Sequence, residues 1–312
     1  MELKNKLKGR HFINLEDFEA TELLSLIDYA SELKAEVKKY RKIDILKDKT
    51  LVMYFSKPSL RTRLSFEAGI QKLGGHSIVI KQEEIILGKR ESIADTSRVI
   101  SRYADGVTLR TFAHKDVEDF ATYSSIPIIN ALTDVSHPCQ IMADLLTIKE
   151  HFKTLKGIKV AFVGDGNNVS TTLMLACAML GIDITLSVPK GYEPDKNYTN
   201  LSLEYALKSG SKIEILNDPI IGVKDSQVVY TDTWTSMGQE SETKIRNEKF
   251  KEFQVNLNLL KNASKEAIVM HCLPAHHGFE ITDDVFELNS KVIFDQSENR
   301  MHAQMAIMAS IM

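Results

Sequence analysis

Cysteine is scarce in this sequence, which narrows the classes of protein that it can belong to. The 312 residues include three cysteines, Cys139, Cys177 and Cys272, which are odd in number and far apart. This pattern argues against a disulfide framework or a zinc site and favours a reducing compartment. The first ten residues are lysine-rich without the apolar core of a signal peptide, and no apolar run reaches membrane-spanning length. We therefore expect a cytoplasmic protein with no membrane partner.

A marked excess of charge of one sign is also absent. Lysine and arginine number 39 and aspartate and glutamate 42, giving a net charge of −3, and no basic block occurs. Nothing therefore indicates nucleic acid as a partner. The composition, 43% hydrophobic and 26% charged, is ordinary for a globular protein. Because 312 residues exceed the usual size of a single core, two domains are expected.

Apolar runs of strand length alternate with helical patterns along the chain. The runs lie at 51–55, 77–80, 106–110, 126–129, 160–163, 182–188, 213–216, 228–230 and 268–270. Apolar residues at helical spacing follow several of them, and a first helix with its stripe at 23–37 is predicted to be capped by Asn14. This alternation predicts an α/β fold: two doubly wound domains with mainly parallel central sheets, linked by long helices. The polar stretch 153–157 is the expected boundary.

The turn between the first strand and its helix carries the first candidate site. Ser59, Arg61, Thr62 and Arg63 place two hydroxyls and two guanidinium groups where helical N–H groups lack intrahelical partners. Guanidinium groups fork onto phosphate oxygens, so an oxyanion or phosphate site is indicated. It is not a P-loop, because the glycine-rich run with Lys-Ser/Thr is missing. A helix with an ordinary cap and surface arginines fits the same residues.

Further polar side chains follow other strands of the first half. Arg110 ends the strand at 106–110, and His137 precedes Pro138, which suits the first helical turn and places Gln140 in the opening turn. Ligands gather at the carboxyl ends of parallel strands, which favours a functional interpretation of these residues. A structural histidine remains the alternative for His137.

In the second half, the turn Gly164–Gly166 suggests a dinucleotide site only weakly. The third glycine position is Val169, and the next strand ends in Pro189 and Lys190, where an acidic ribose ligand is required. We therefore discount NAD.

Two later strands end in polar residues. The stretch 232–240 follows one of them, and the charged segment 240–251 is either a mobile lid or a solvated loop. Cys272 follows the last strand, either as a reactive thiol or as a small packing residue.

Five short motifs in a fixed order identify a family resemblance. They are S-L-R-T-R at 59–63, R-T-F-A-H at 110–114, H-P-C-Q at 137–140, D-T-W-T-S-M-G at 232–238 and H-C-L-P at 271–274. With them, the chain from about residue 15 onwards resembles the aspartate/ornithine carbamoyltransferase family. Each motif alone is weak, whereas five in the family's order are specific.

The resemblance implies transfer of a carbamoyl group from carbamoyl phosphate to an amine. Residues 1–152, joined by about 299–312, would bind carbamoyl phosphate, and residues 153–298 would bind the acceptor. It further implies that no metal or organic cofactor is required and that trimers, or higher assemblies of trimers, form. The motif pieces at 168 and 236–238 point to L-ornithine as acceptor, so that the δ-amine is carbamoylated to L-citrulline, or the reverse in arginine catabolism.

The resemblance also implies roles for individual residues. The catalytic residues would be Arg110, His137 and Cys272. Carbamoyl phosphate would contact Ser59, Leu60, Arg61, Thr62, Arg110, His137, Gln140, Cys272, Leu273 and Arg300. The backbone groups of ornithine would contact Asn168, Asp232, Ser236 and Met237.

Two positions depart from the commonest family pattern. Leu60 stands where threonine is usual, and Ile86 stands where many members carry a polar residue that reaches a neighbouring subunit's phosphate. Weaker binding of carbamoyl phosphate is therefore predicted. A carbamoyltransferase for a related amine, or a non-catalytic relative that binds carbamoyl phosphate, remains an alternative.

Overall fold

Two parallel β-sheets organise the chain in the computed structural model, which describes residues 6–236 and 238–312. The strands are β1 Thr50–Phe55, β2 His76–Lys81, β3 Gly106–Arg110, β4 Ile128–Leu132, β5 Lys159–Val163, β6 Asp183–Ser187, β7 Ile213–Leu216, β8 Val228–Thr231 and β9 Ile268–His271. Their orders are β2-β1-β3-β4 and β7-β6-β5-β8-β9, and every adjacent pair within these sheets is parallel. The predicted α/β class with two parallel sheets is confirmed.

Helices connect the parallel strands, as such crossovers require. The helices, of which the first precedes β1 and the last follows β9, are α1 Ala20–Tyr40, α2 Leu60–Lys72, α3 Ile93–Ile100, α4 His114–Tyr123, α5 Pro138–Phe152, α6 Asn168–Leu180, α7 Lys196–Ser209, α8 Pro219–Gly222, α9 Thr243–Lys249, α10 Leu257–Leu260 and α11 Asp283–Ile311. Short 3₁₀ helices lie at Leu15–Asp17, Glu240–Glu242 and Lys251–Phe253. Within the described part of the chain, no helix is both long and apolar enough to cross a membrane.

The start of α1 differs from the prediction. Asn14 precedes the 3₁₀ turn, and α1 itself begins at Ala20 after Glu19. The Glu19 N–H donates to Glu22 Oε2 at 2.9 Å, which satisfies one of the polar groups at the helix start. Asn14 is therefore the N-cap of the 3₁₀ turn, whereas its predicted role as the cap of the helix that carries the apolar stripe is wrong.

The chain divides into two compact units. One holds the chain up to Leu146 together with Glu298–Met312, and the other holds Thr147–Ser297. The divisions fall inside α5 and α11, so each of these long helices contributes residues to both units.

A close helix contact brings the end of α11 into the first unit. A Cβ atom added at Gly69 of α2 would lie 3.2 Å from Met305 Cγ and 3.3 Å from Met308 Cε. Glycine therefore allows α11 to approach α2 closely. This approach positions Arg300 of α11 beside the N-terminal turn of α2.

Candidate active site

In the first unit, the candidate site starts at the turn between β1 and α2. Ser59 is the N-cap residue, with extended backbone at φ −155°, and its side chain makes no capping hydrogen bond. Leu60, the first helical residue, is 68% exposed, whereas Thr62 is buried. N–H groups in the first helical turn lack intrahelical acceptors and, together with the helix dipole, favour an anion. The phosphate site predicted at Ser59, Leu60, Arg61 and Thr62 stays a prediction.

Thr62 accepts hydrogen bonds from two guanidinium groups that come from distant parts of the chain. Its Oγ1 accepts from Arg110 Nη1 at 3.2 Å and from Arg300 Nη2 at 2.8 Å. Arg110 ends β3, which lies beside β1 in the sheet, so parallel pairing places it next to the turn. Arg110 and Arg300 are both buried. Two buried cations at one neutral oxygen form a site that an anion would stabilise.

His137 lies immediately before α5 and is buried. Burial, followed by the positive charges of Arg300 and Arg110, lowers the pKa of His137 well below its usual 6.5. The imidazole is therefore neutral near pH 7, so one ring nitrogen carries a proton and the other is an acceptor. Cys139, in the first turn of α5, differs from His137, because burial raises the pKa of its thiol to about 12. Cys139 is not a reactive thiolate.

Gln140 supplies an amide in the first turn of α5. Its Nε2 donates to Asp144 Oδ1 at 2.8 Å, which orients the group. The Oε1 atom is buried and has no hydrogen-bond partner among the residues that the structure describes. A buried carbonyl oxygen of this kind is suited to accept an N–H from a small ligand. Arginine and imidazole donors together with this acceptor match a planar group that carries both C=O and NH₂.

In the second unit, the candidate site is centred on Asp232, just after β8. Asn167 Nδ2 donates to Asp232 Oδ2 at 2.9 Å, and Cys272 Sγ donates to Asp232 Oδ1 at 2.9 Å. These residues follow β5, β8 and β9, which are adjacent in the sheet. The carboxyl ends of three neighbouring parallel strands thus bring an amide, a carboxylate and a thiol together.

The predicted acceptor residues differ in their placement around Asp232. Asn168 opens α6 and is half-buried, but it is Asn167, the N-cap, whose side chain holds Asp232. Ser236 N–H donates to Gln239 Oε1 at 3.2 Å. Met237 lies outside the described residues.

Arg246 ties this loop to the sheet and was missed by sequence reasoning. Its Nη1 donates to Asp165 Oδ2 at 2.9 Å and to Trp234 O at 3.0 Å, while Nε donates to Glu242 Oε2 at 2.9 Å. The charged segment 240–251 is expected from the sequence to be a mobile lid or a solvated loop, yet Arg246 within it is buried. Burial raises the pKa of Asp165 to about 6, although the Arg246 cation opposes this shift. The only feature of the sequence that indicated a role for Asp165 was its position just after the apolar run of β5.

Asp232, His271 and Cys272 also have a spacing that a metal ion could use. Their potential ligand atoms lie within 4.8 Å of one another. Both nitrogens of His271 are already engaged, however, since Nδ1 accepts from Leu273 N–H at 2.9 Å and Nε2 lies 3.2 Å from Glu280 Oε1. The donor set is therefore a hydrogen-bonded cluster. Leu273 and Cys272, which the resemblance also assigns to carbamoyl phosphate, both belong to this second unit.

Comparison with protein families matches almost the whole chain. Residues 10–150 match the carbamoyl-P binding domain of aspartate/ornithine carbamoyltransferase, and residues 156–311 match its Asp/Orn binding domain. The ornithine carbamoyltransferase of Thermococcus kodakarensis is 48% identical over 98% of this chain and 97% of the relative. The anabolic ornithine carbamoyltransferase of Pyrococcus furiosus is 47% identical over the same shares of both chains.

Solved structures agree with the sequence comparison. The Pyrococcus furiosus ornithine carbamoyltransferase has a TM-score of 0.95 at 47% identity, covering 98% of each chain. The anabolic ornithine carbamoyltransferase of Campylobacter jejuni has a TM-score of 0.91 at 39% identity, covering 96% of this chain and 97% of the other. The resemblance read from the five motifs is confirmed, and the chain belongs to the aspartate/ornithine carbamoyltransferase family.

Proposed function

We propose that this protein transfers the carbamoyl group of carbamoyl phosphate to the δ-amine of L-ornithine, giving L-citrulline and phosphate. The observation that carries the proposal is the convergence of Arg110 and Arg300 on Thr62, next to a neutral imidazole. This arrangement suits a phosphorylated, planar and uncharged acyl group. Ornithine is proposed as the acceptor because the relatives are named ornithine carbamoyltransferases.

The first unit binds carbamoyl phosphate in this proposal. Ser59, Arg61, Thr62 and the N–H of Leu60 hold the phosphate, because the helix start offers donors and positive potential. Arg110 reaches both the phosphate and the carbamoyl oxygen.

The carbamoyl group itself is held by the buried residues of the same unit. The neutral His137 donates to the carbamoyl oxygen, the free lone pairs of Gln140 Oε1 accept from the carbamoyl NH₂, and Arg300 completes the pocket. A neutral donor avoids adding a third buried cation beside two arginines.

The second unit binds ornithine. Asn168, Asp232, Ser236 and Met237 hold its backbone groups, and Cys272 and Leu273 lie beside the δ-amine. The amine attacks the carbamoyl carbon, the C–O bond to phosphate breaks, and phosphate leaves with that electron pair. Arg110 and His137 stabilise the oxyanion that forms on the carbonyl oxygen.

The amine must lose its proton before attack, because ammonium has no lone pair. Asp232 and Cys272, joined by the 2.9 Å hydrogen bond, orient the amine and help to deprotonate it without a covalent cysteine intermediate. A carbamoyl-cysteine adduct trapped during turnover would contradict this part of the mechanism.

We also propose that the protein is cytoplasmic and that it forms a homotrimer or a higher assembly of trimers, the assembly being what the family resemblance implies. Leu60, Ile86 and Phe112 are exposed apolar side chains of the first unit, which suits contact with a second copy. Sedimentation velocity measures the assembly, and a monomer at working concentration contradicts the trimer without affecting the proposed reaction.

The test of function is an amine panel with carbamoyl phosphate. Purified protein is assayed for ureido product with ornithine, putrescine, acetylornithine and aspartate. Citrulline formation with ornithine alone is expected. A product from another amine identifies a different acceptor, and binding of carbamoyl phosphate without turnover identifies a non-catalytic relative.

A further inference from the structure

A buried histidine–carboxylate pair lies behind the turn that follows β9. His271 and Glu280 are each 1% exposed, and His271 Nε2 lies 3.2 Å from Glu280 Oε1. The His271 backbone N–H is also fixed, since it donates to Gln296 Oε1 at 2.9 Å. Both side chains of the pair therefore have defined positions in the interior of the second unit.

The hydrogen bonds determine which ring nitrogen of His271 carries the proton. The Leu273 N–H donates to Nδ1 at 2.9 Å, so Nδ1 presents a lone pair. The proton is then on Nε2 and is donated to the Glu280 carboxylate. In the opposite tautomer, Nδ1–H would face the Leu273 N–H and Nε2 would face a carboxylate oxygen, so both contacts would be lost.

Leu273 needs such support, because its backbone is left-handed at φ +60°. This region is unfavourable for a residue with a Cβ atom and is kept only where neighbouring groups impose it. The bond to His271 Nδ1 holds the amide of Leu273 in that conformation. The same turn orients Cys272, whose thiol contacts Asp232.

Glu280 also reaches the loop that follows β8. Its Oε1 accepts the backbone N–H of His276, and His276 Nδ1 lies 3.0 Å from Thr233 Oγ1. Thr233 follows Asp232 directly. One buried carboxylate is thus connected to both segments that carry the candidate acceptor residues.

We propose that Glu280 and His271 are positioning residues for the acceptor site: Glu280 selects the Nε2–H tautomer of His271, and His271 Nδ1 thereby fixes the Leu273 turn beside the amine. The role rests on the proposed function, because it concerns orientation of the δ-amine. Neither side chain enters the chemistry. The family motif includes His271, whereas no motif pointed to Glu280 nine residues later.

The tautomer is tested directly on wild-type protein. Nitrogen-15 NMR of histidine-labelled protein distinguishes a protonated Nε2 from a protonated Nδ1. We expect the His271 signals, assigned by their loss in a His271 variant, to show the Nε2–H form. A predominant Nδ1–H form overturns the proposal, and this measurement does not depend on catalysis.

Two replacements of His271 separate its two hydrogen bonds. His271→Asn keeps an oxygen near the position of Nδ1 that can accept from Leu273 N–H, whereas His271→Gln keeps a donor towards Glu280 and loses that acceptor. We expect kcat with ornithine to fall about tenfold in His271→Gln, as loss of one buried hydrogen bond implies, and less in His271→Asn. The dissociation constant for carbamoyl phosphate should change less than kcat, since the candidate phosphate residues Ser59 to Thr62 belong to the other unit.

The matched control is His277→Gln, because His277 is exposed and bonds to Asp283 instead of Glu280. It should keep wild-type kcat. Equal losses in the Asn and Gln variants, or no loss in either, overturn the positioning role. If His271→Gln does not fold, the NMR measurement decides. A wild-type protein that forms no citrulline refutes the proposed function instead, and the tautomer measurement still tests the pair.

Discussion

Arg300 Nη2 donates to Thr62 Oγ1 at 2.8 Å although 238 residues separate the two in sequence. The same oxygen accepts from Arg110 Nη1, so one hydroxyl aligns two cations. The candidate phosphate site therefore depends on a side chain without charge.

Replacing Thr62 by valine should weaken carbamoyl phosphate binding about tenfold or more. Valine has nearly the same shape but no acceptor, so both guanidinium groups lose a buried partner. Isothermal titration with carbamoyl phosphate, or its KM in the citrulline assay, measures the change. Thr62→Ser is the control, since it retains the hydroxyl and should bind within a few-fold of wild type. Equal affinities for all three proteins would contradict the role.

Arg110→Lys should lower kcat about 100-fold while the fold survives. A single ammonium cannot replace the planar fork that donates to Thr62 and, in the proposed function, also holds the reacting group. Steady-state kinetics measures kcat, and circular dichroism shows whether the fold survives. Arg98→Lys, at an exposed arginine paired with Asp95, is the matched control and should be neutral. Near-normal turnover of Arg110→Lys rejects the assignment.

His137 should make the protein less stable as the pH falls below about 6.5. The unfolded chain then binds a proton at His137, whereas burial and the two arginines lower the pKa of the folded site. The unfolded state binds more protons, so the free energy of unfolding decreases on acidification. Thermal unfolding of wild type and His137→Gln between about pH 7.5 and about pH 5.5 measures the slope.

In that experiment, the His137→Gln variant should show the shallower decline. Replacement of the exposed His76 by glutamine is the control. Parallel slopes for wild type and His137→Gln would show that His137 is not held neutral by its surroundings.

Asp165 should produce the opposite dependence on pH. Burial raises the pKa of its carboxyl from 3.8 to about 6 in the folded protein, so between these values the folded state keeps a proton that the unfolded chain has released. Stability from this group is thus lost as the pH rises from about 4 to about 6 and is constant above. The difference in melting temperature between wild type and Asp165→Asn, followed across that window, measures the effect.

Glu242→Gln is the matched variant for Asp165, because it removes the exposed partner of the same arginine and leaves the Asp165 contact. It should keep the wild-type slope. If the dependence of stability on pH disappeared in Glu242→Gln and persisted in Asp165→Asn, the titrating group would be Glu242, and the prediction for Asp165 would be wrong.

Leu60→Thr should strengthen carbamoyl phosphate binding about fivefold, the value of one added hydrogen bond of about 1 kcal/mol. Leu60 is exposed at the first position of α2, so a hydroxyl there costs no buried packing within one chain. Leu64→Thr, one turn later and also exposed, is the control. A KM that is unchanged by Leu60→Thr would show that the backbone N–H alone serves the ligand.

The ends of the strands could be predicted, because a strand buried on both faces of a parallel sheet has an uninterrupted run of apolar residues in its sequence. Arg110 ends such a run and His137 follows another after the short segment 133–136, and the structure places both near Thr62 or its partners. The sheet order β5-β8-β9 has no comparable signature, since it depends on which strands pair at long range. Asp232 and Cys272 were therefore assigned by family resemblance, and their mutual hydrogen bond emerged only from the fold.

The residues that were missed share a different property. Arg246 lies in a run of charges that reads as solvated, and its burial follows from its contacts with Asp165 and Trp234. Glu280 has no periodic or motif relation to His271. Pairing of a buried charge is a property of tertiary structure, and sequence spacing carries little information about it.

The position of Arg300 in the last helix has a consequence for biosynthesis. Domains generally fold as units during synthesis, beginning from the N-terminus. The sheet of the first unit is translated early, but Thr62 meets Arg300 only after the whole second unit has followed. A nascent chain can thus build this sheet long before Arg300 is made, and the candidate phosphate site stays incomplete until translation is nearly finished.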